Sequence, residues 1–286
     1  MRVGGFHSAP LVRRGRWASW ALLGLLVVPV CAWVIAGHVT DAILACVLLA
    51  PLFAWAGLVA TGSAQRAAHA TLTYDALAGL GFEEISLTRA FPTQGVTGLP
   101  FALWTHDRAR VLCAGRGIVD GVELVIASVS WWDARRAGSP WKLATIAVAR
   151  VPQPVANLVR GFSIHRSFDV AFEGAHFWTH GGRTWPMTST ESSEFDDRWR
   201  TRLAPGADEL PVKQLLAPDV IDALISAGPG DLSIQQYREW VLVSDLETSA
   251  AASDGHTARR VAHLAARFAT ELLAVARLPS PTVSRR

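Results

Sequence analysis

WASWALLGLLVVPVCAWVIAG (Trp17–Gly37) and AILACVLLAPLFAWAGLVA (Ala42–Ala60) are two apolar stretches without a charged side chain. A bilayer core about 30 Å thick requires roughly 20 apolar helical residues, and each stretch has that length. The turn GHVTD (Gly37–Asp41) between them is only long enough to reverse the chain. The first stretch also exceeds the roughly 7–15 apolar residues of a cleaved signal peptide. The sequence therefore predicts a two-helix transmembrane hairpin over residues 17–37 and 42–60.

The arginines around this hairpin predict its orientation. They precede the first stretch or follow the second, at Arg2, Arg13, Arg14, Arg16 and Arg66. The connecting turn has neither lysine nor arginine. Because positively charged flanks stay on the cytoplasmic side, both termini are expected in the cytoplasm. The expected location is the cell membrane, with the lipid bilayer as a partner through the two helices.

Composition excludes some classes of protein. The net charge of +3 is too small to indicate a nucleic-acid partner. Three cysteines, two of them inside the predicted spans, rule out a disulfide scaffold. The predicted organisation is a basic cytoplasmic lead (1–16), a transmembrane hairpin (17–60), a juxtamembrane helix (61–81), a cytoplasmic α+β domain (82–277) and a disordered tail (278–286).

The cytoplasmic region alternates strand and helix signals. A helix is predicted from Gln65 to Leu80, and Gly81 stands where a left-handed cap would end it. Stretches rich in β-branched and aromatic residues predict strands at 101–106, 109–115, 122–132, 142–151 and 194–203, and a hairpin at 232–245. Further helices are predicted near Pro211 and from Pro218. The fold class is α+β, a mostly antiparallel sheet with packed helices.

The last helix is the clearest element after the hairpin. From His256 to Ala276 apolar residues recur at helical spacing and form one stripe, which predicts an amphipathic helix. Its basic side chains Arg260, His263 and Arg267 face away from that stripe. Glu271 lies four residues after Arg267, which predicts an ion pair between them.

This order of features resembles an uncharacterised family of bacterial, especially actinobacterial, two-span membrane proteins. The resemblance is carried by LAGLGF (77–82), GRGIVDGVELVIASVSW (115–131), ESSEFDDRWRTRL (191–203), QLLAPDVIDAL (214–224) and the closing helix. It implies two spans and a cytoplasmic α+β domain of unknown function. It carries over no catalytic residue.

Gly115, Gly117 and Gly121 approach the glycine fingerprint of dinucleotide-binding proteins. That fingerprint follows a strand and opens a helix, whereas a strand follows here. Asp120-Gly121 is a typical hairpin turn pair. The pattern therefore favours a turn, and no cofactor is predicted.

His165, His176 and His180 are the candidate metal ligands, with Asp169 or Glu173 as a further ligand. The two histidines of AHFWTHGGRTW would share a face only in a helix, which its paired glycines disfavour. A zinc site also requires a third or fourth ligand with supporting hydrogen bonds. Structural histidines are the favoured interpretation, and no metal is predicted.

Glu191, Glu194, Asp196 and Asp197 form an acidic cluster. Paired carboxylates do acid–base work when their environments separate their pKa values. On a predicted strand, however, Glu194 and Asp196 share one face while Asp197 points to the other. A solvated strand edge is the favoured interpretation, because charges there discourage edge pairing.

The sequence motifs that surround catalytic serine or cysteine nucleophiles are incomplete here. The stretch GFSIH around Ser163 lacks the second glycine of a nucleophile elbow. Cys113 lies among apolar residues, where a buried and inert thiol is the usual case. No catalytic residue is therefore assigned.

Three hypotheses follow, and the first is preferred. It is a membrane-tethered, non-enzymatic adaptor that binds a membrane protein partner. The second is a domain that senses an anionic lipid surface, through Arg135, Arg136 and the last helix, or a small ligand. Trp131-Trp132 beside those arginines could contact a headgroup. The third is an enzyme with an unrecognised site near His165 and His176.

Overall fold

The structure is a computed structural model. It describes residues 57, 59, 62–85, 110–132, 141–166, 179–180, 183–226, 231–237, 239–247 and 256–277. Backbone contacts divide the chain into two compact units, one of Met1–Thr71 with Asp133–Trp141 and one of Leu72–Trp132 with Lys142–Arg286. In the first unit the described residues are 57, 59, 62–71 and Trp141, and the helical stretch 62–71 dominates them.

The described helices and strands alternate along the chain. The helices are α1 (62–79), α2 (Gln153–Val159), α3 (Ser193–Arg198), α4 (Glu209–Leu215), α5 (Pro218–Ser226) and α6 (His256–Val275). The strands are β1 (Glu83–Glu84), β2 (Arg110–Val119), β3 (Val122–Trp132), β4 (Trp141–Arg150), β5 (Phe162–Arg166), β6 (Thr179–His180), β7 (Arg183–Thr184), β8 (Met187–Thr188), β9 (Trp199–Leu203), β10 (Asp231–Tyr237) and β11 (Trp240–Glu247).

Nine of these strands form one sheet in the order β1-β2-β3-β4-β11-β10-β5-β9-β8. Its recorded strand registers are antiparallel, which confirms the predicted antiparallel sheet. Both edge strands, β1 and β8, are only two residues long. Short edge strands present few free backbone groups and so discourage edge-to-edge association. The other described strands, β6 and β7, pair in a separate sheet.

The β2–β3 hairpin confirms the turn that its sequence predicts. Asp120 and Gly121 have φ angles of 50° and 80°. Two consecutive positive φ angles are those of a type I′ turn, whose twist matches that of the flanking strands. The glycine pattern that begins at Gly115 is therefore part of a hairpin and not of a phosphate-binding loop. Gly117 faces Phe82, and a Cβ atom at Gly117 would lie 2.5 Å from the Phe82 ring.

One face of the large sheet packs against helices, and it is called the helix face here. Leu124, Ile126, Ala147, Val241 and Val243 project from this face and belong to one continuous apolar core. Helix α6 contributes the widest stripe to that core and packs on β3 and β11. Buried residues of α6 recur at the helical spacing that the sequence predicts, so the amphipathic helix is confirmed.

The predicted two-helix transmembrane hairpin is wrong as part of the fold class. Among the residues that the structure describes, no helix has both the length and the apolar character that crossing a bilayer requires. Helix α6 is 20 residues long, but it carries Arg259, Arg267 and Glu271 outside its apolar stripe. Of the segments 17–37 and 42–60, only Gly57 and Val59 are described, both as helical, and the remainder lies outside the described residues. The transmembrane and multi-pass description is therefore corrected to an antiparallel sheet with packed helices.

The segment 194–203, predicted as one strand, is also different. Its first part is helix α3, and only Trp199–Leu203 is the strand β9. Ser192 caps this helix by accepting a hydrogen bond from the Phe195 amide at 3.3 Å. A serine cap satisfies one of the free amides at a helix start. The Ser192 cap and the burial of Phe195 therefore favour a helix over a strand in this segment.

Candidate functional sites

The sheet face opposite the helix face carries a row of polar side chains, most of them buried, across four strands. Strand registers place Arg200 on β9 opposite His165 on β5, and His165 opposite Ser233 on β10. Ser233 lies opposite Ser244 on β11. Residues directly opposite each other in antiparallel strands have Cβ atoms about 5 Å apart. These four side chains are therefore direct neighbours.

A second row runs beside the first. Arg202 lies opposite Ser163, and Ser163 lies opposite Gln235. Gln235 is in turn opposite Leu242, where the row becomes apolar. We call the members of both rows the polar face, which consists of Ser163, His165, Arg200, Arg202, Ser233, Gln235 and Ser244.

The centre of the polar face is shielded from solvent. Ser163, His165 and Ser233 have 0% exposure and Gln235 has 2%. Gln235 Nε2 donates a hydrogen bond to Ser233 Oγ at 3.2 Å. Within the described part of the chain, Ser163 Oγ and Gln235 Oε1 have no hydrogen-bond partner. Buried polar atoms are nearly always hydrogen-bonded, so these two atoms require an explanation.

Two guanidiniums, those of Arg200 and Arg202, lie beside His165 on the polar face. Burial, with smaller contributions from the Arg202 and Arg200 guanidiniums, lowers the pKa of His165 to about 4. The imidazole is therefore neutral at pH 7. A base with so low a pKa is poorly matched to accepting protons at neutral pH. The arrangement suits binding better than acid–base chemistry.

The predicted metal ligands are only partly described. His165 lies on β5 in the large sheet, whereas His180 lies on β6 in the separate two-stranded sheet. His176, Asp169 and Glu173 lie outside the described residues. Among the described residues, no group of three histidine, cysteine or acidic side chains has the proximity that a metal ion requires.

The acidic cluster serves local structure. Asp196 accepts hydrogen bonds from the Thr190 amide at 2.9 Å and from the Thr190 hydroxyl at 3.0 Å. Glu194 pairs with Arg198 at 3.1 Å, one turn further along α3. The predicted solvated strand edge is therefore a helix start, where carboxylates also interact favourably with the helix dipole.

Three basic side chains of α6 each contact a carboxylate on another element. Arg260 pairs with Asp245 on β11. His263 Nδ1 lies 3.0 Å from Asp120 Oδ2 in the β2–β3 turn. Arg267 Nη2 lies 2.5 Å from Asp219 Oδ2 on α5. The predicted pair of Arg267 is thus with Asp219 and not with Glu271, and the helix offers less free positive charge to a lipid surface than its sequence indicates.

Cys113 is the inert thiol that its sequence context predicts. Its side chain is buried, and burial raises the pKa of the thiol to about 12. A thiol needs its thiolate form to react, so Cys113 is unreactive at neutral pH. Arg135 and Arg136 lie outside the described residues.

A second candidate site consists of exposed apolar side chains on three elements that contact one another. Leu158 on α2, Met187 on β8 and Leu210 on α4 are exposed by 38%, 56% and 45%. We call these three residues the corner patch. Their elements are joined by contacts, because α2 packs on α4 and the Thr188 hydroxyl donates to the Glu209 carboxylate.

Neither site was identified from sequence. The alternation of apolar and polar residues in Phe162–His165 and in Leu232–Gln235 was visible, but such alternation normally predicts a solvent-facing side. The structure shows that this side is buried. The corner patch comes from three segments that are distant in sequence, and none of them carries a motif.

The similarity of this chain to known proteins is weak. Neither the protein families nor the curated proteins yielded a match to this chain. Among solved structures, the crystal structure of the mycobacterial trehalose monomycolate transport factor A, TtfA, is similar over 74% of this chain and 98% of that chain. The identity is 13% and the TM-score 0.41, a similarity too distant to support an inference about fold or function.

Proposed function

We propose that this protein is a non-catalytic interaction module that binds a protein partner through the corner patch. The observation that supports the proposal is that three exposed apolar side chains lie on elements that contact one another. Three of the four large apolar side chains exposed in the described part of the chain belong to the corner patch, and the fourth is Ile118. Single exposed apolar residues are normal, whereas clustered ones mark interaction sites.

The surroundings of the patch suit a protein interface. Glu209 and Lys213 form an exposed ion pair at 3.0 Å beside Leu210. Arg160 donates to the Gly206 carbonyl at 3.2 Å and connects the end of α2 to the loop before α4. An apolar centre with a polar rim is the usual composition of an interface. The expected partner is a folded protein with a complementary apolar surface.

Three single substitutions, two in the corner patch and one outside it, test this proposal. Met187→Glu and Leu210→Glu place charges in the patch, and Ile118→Glu makes the same change at an exposed residue elsewhere in the sheet. After crosslinking in the native host and purification through a tag, quantitative mass spectrometry compares the copurifying proteins. A near-stoichiometric partner is expected with the wild type and with Ile118→Glu. Its recovery should fall at least roughly tenfold with either patch variant, as loss of a central interface contact implies.

The melting temperature of each variant shows whether a lost partner reflects the interface or unfolding of the protein. Surface substitutions of this kind change the free energy of unfolding by about 0.5 kcal/mol or less, so all three variants should melt like the wild type. Equal recovery of the partner with all four proteins would refute the role of the corner patch. The lack of any stoichiometric partner would refute the adaptor function itself.

A further inference from the structure

Arg160 ends α2 in a backbone conformation that its side chain disfavours. Its φ angle is 58° and its ψ angle −8°, in the left-handed region. A Cβ atom there lies too close to the following carbonyl oxygen, so helices that end in this conformation usually have glycine at that position. Strained backbone of this kind points to a use for the side chain. The local backbone favours glycine, and the arginine therefore requires another reason.

The charge of Arg160 meets no carboxylate in the described part of the chain. The side chain is exposed, and its Nη1 donates a hydrogen bond to the Gly206 carbonyl at 3.2 Å. A carbonyl oxygen accepts a hydrogen bond but carries no full negative charge. The contact therefore orients the guanidinium and leaves its charge available to a binding partner.

Arg160 lies at the rim of the corner patch. It follows Leu158 by two residues at the end of α2. Gly206, which accepts its hydrogen bond, lies in the loop before α4 and Leu210. The side chain thus bridges two of the three elements that carry the patch. Arginine is enriched among the residues that dominate the energetics of interfaces, and its guanidinium binds a carboxylate through two parallel hydrogen bonds.

We infer that Arg160 is the charged anchor of the corner patch and that the partner presents a carboxylate to it. The inference rests on the proposed function, because it specifies the chemistry of that partner. A protein that covers Leu158 would also remove water from Arg160. This loss of hydration is unfavourable unless an opposite charge replaces the water. The partner that fits is therefore a protein with an aspartate or glutamate beside its apolar contact surface.

Two matched substitutions test the role of the charge. Arg160→Gln and Arg116→Gln make the same change at two exposed arginines. Arg116 pairs with Glu123 on the β2–β3 hairpin, at the other end of the sheet from β8. In the copurification experiment, recovery of the partner identified with the wild type should fall at least roughly tenfold with Arg160→Gln, as expected for one lost charged hydrogen bond. Recovery with Arg116→Gln should equal that of the wild type.

Arg160→Gly separates binding from folding. Glycine adopts the left-handed conformation without strain, so this variant should melt at the wild-type temperature or above it. It should still recover at least roughly tenfold less partner. A melting temperature more than about 4 °C below that of the wild type would show that the arginine side chain serves folding, and would overturn the inference.

A carbodiimide crosslink tests directly for the carboxylate. Arg160→Lys keeps the positive charge and adds a primary amine, which the reagent joins to a neighbouring carboxylate as an amide. In the complex purified through the tag, the introduced lysine should become linked to an aspartate or glutamate of the partner, identified by mass spectrometry of the digested product. Links only to carboxylates of this chain or of a second copy would overturn the inference, and so would the absence of any link.

The outcomes distinguish this inference from the proposed function. If Met187→Glu loses the partner while Arg160→Gln and Arg160→Gly retain it, the corner patch stands as the interface and the acidic contact is refuted. If Met187→Glu and Leu210→Glu both retain the partner, or if no partner copurifies with the wild type, the proposed function and this inference are both refuted.

Discussion

At the scale of single residues, His165 shows how burial changes the chemistry of a side chain. Its sequence context is compatible with a metal ligand or a catalytic base. The structure places it at 0% exposure beside two guanidiniums, and its pKa falls to about 4. Burial disfavours the charged form of the imidazole, so the stability of the folded protein depends on pH through this residue.

We expect His165 to make the protein sensitive to mild acid. Its pKa is about 4 in the folded chain and near 6.5 when unfolded. Between these values the unfolded state binds the proton and the folded state does not, so stability falls as the pH falls from 6.5 towards 4. At pH 5 the loss from this group is about 2 kcal/mol.

Urea unfolding at pH 7 and pH 5 measures this effect. His165→Gln should lose less stability than the wild type between the two pH values. His256→Gln, at an exposed histidine at the start of α6, should retain the wild-type loss. An unchanged pH dependence in His165→Gln would contradict the assignment to His165.

At the scale of elements, residues 193–203 show how one stretch divides into a helix and a strand. Ser192 accepts a hydrogen bond from the Phe195 amide, and Asp196 accepts one from the amide of the preceding Thr190. Phe195 stacks on Trp199, with ring centroids 5.9 Å apart, and both side chains are buried. The helix therefore positions the start of β9, and with it Arg200.

The cap of α3 can be tested with two neighbouring serines. Ser192→Ala should lower the free energy of unfolding by about 1 kcal/mol, because the Phe195 amide loses its acceptor. Ser193→Ala changes an exposed serine within the first turn and should have little effect. Thermal and urea unfolding of both variants provide the measurement. Equal stability of the two variants would show that Ser192 does not cap α3.

At the scale of the folded domain, α6 is held to the sheet by its apolar stripe and by ion pairs. Asp245 is 2% exposed in its side chain and Arg260 is 28% exposed, so their ion pair is largely shielded from water. The pair of Asp219 and Arg267 is more exposed, at 64% and 35%. Screening by solvent makes the exposed pair the weaker of the two.

We expect Asp245→Asn to destabilise the domain by roughly 2–4 kcal/mol, because it leaves the Arg260 charge partly buried without its carboxylate. Asp219→Asn, the matched change in the exposed pair, should cost about 1 kcal/mol or less. Urea unfolding compares the two variants. Adding Arg260→Met to Asp245→Asn should restore part of the loss, and no recovery would argue against an uncompensated charge as the cause.

Much of the fold was predictable from sequence because it depends on neighbours along the chain. The stripe of α6, the hairpin of β10 and β11, the Asp120-Gly121 turn and the helix that ends before Gly81 all follow from local spacing and backbone preference. The apolar length of residues 17–60 wrongly predicted a transmembrane hairpin, and the composition of residues 194–198 wrongly predicted a strand.

The amino-acid sequence by itself determined the antiparallel sheet, the packed helices and the inert Cys113. Only the tertiary structure decided which strands are neighbours and which face is buried. Arg200, His165 and Ser233 come from separate parts of the chain, and strand pairing alone places them side by side. The reason is physical: local patterns determine the direction of side chains within an element, whereas register and burial arise from long-range packing that a single segment does not encode.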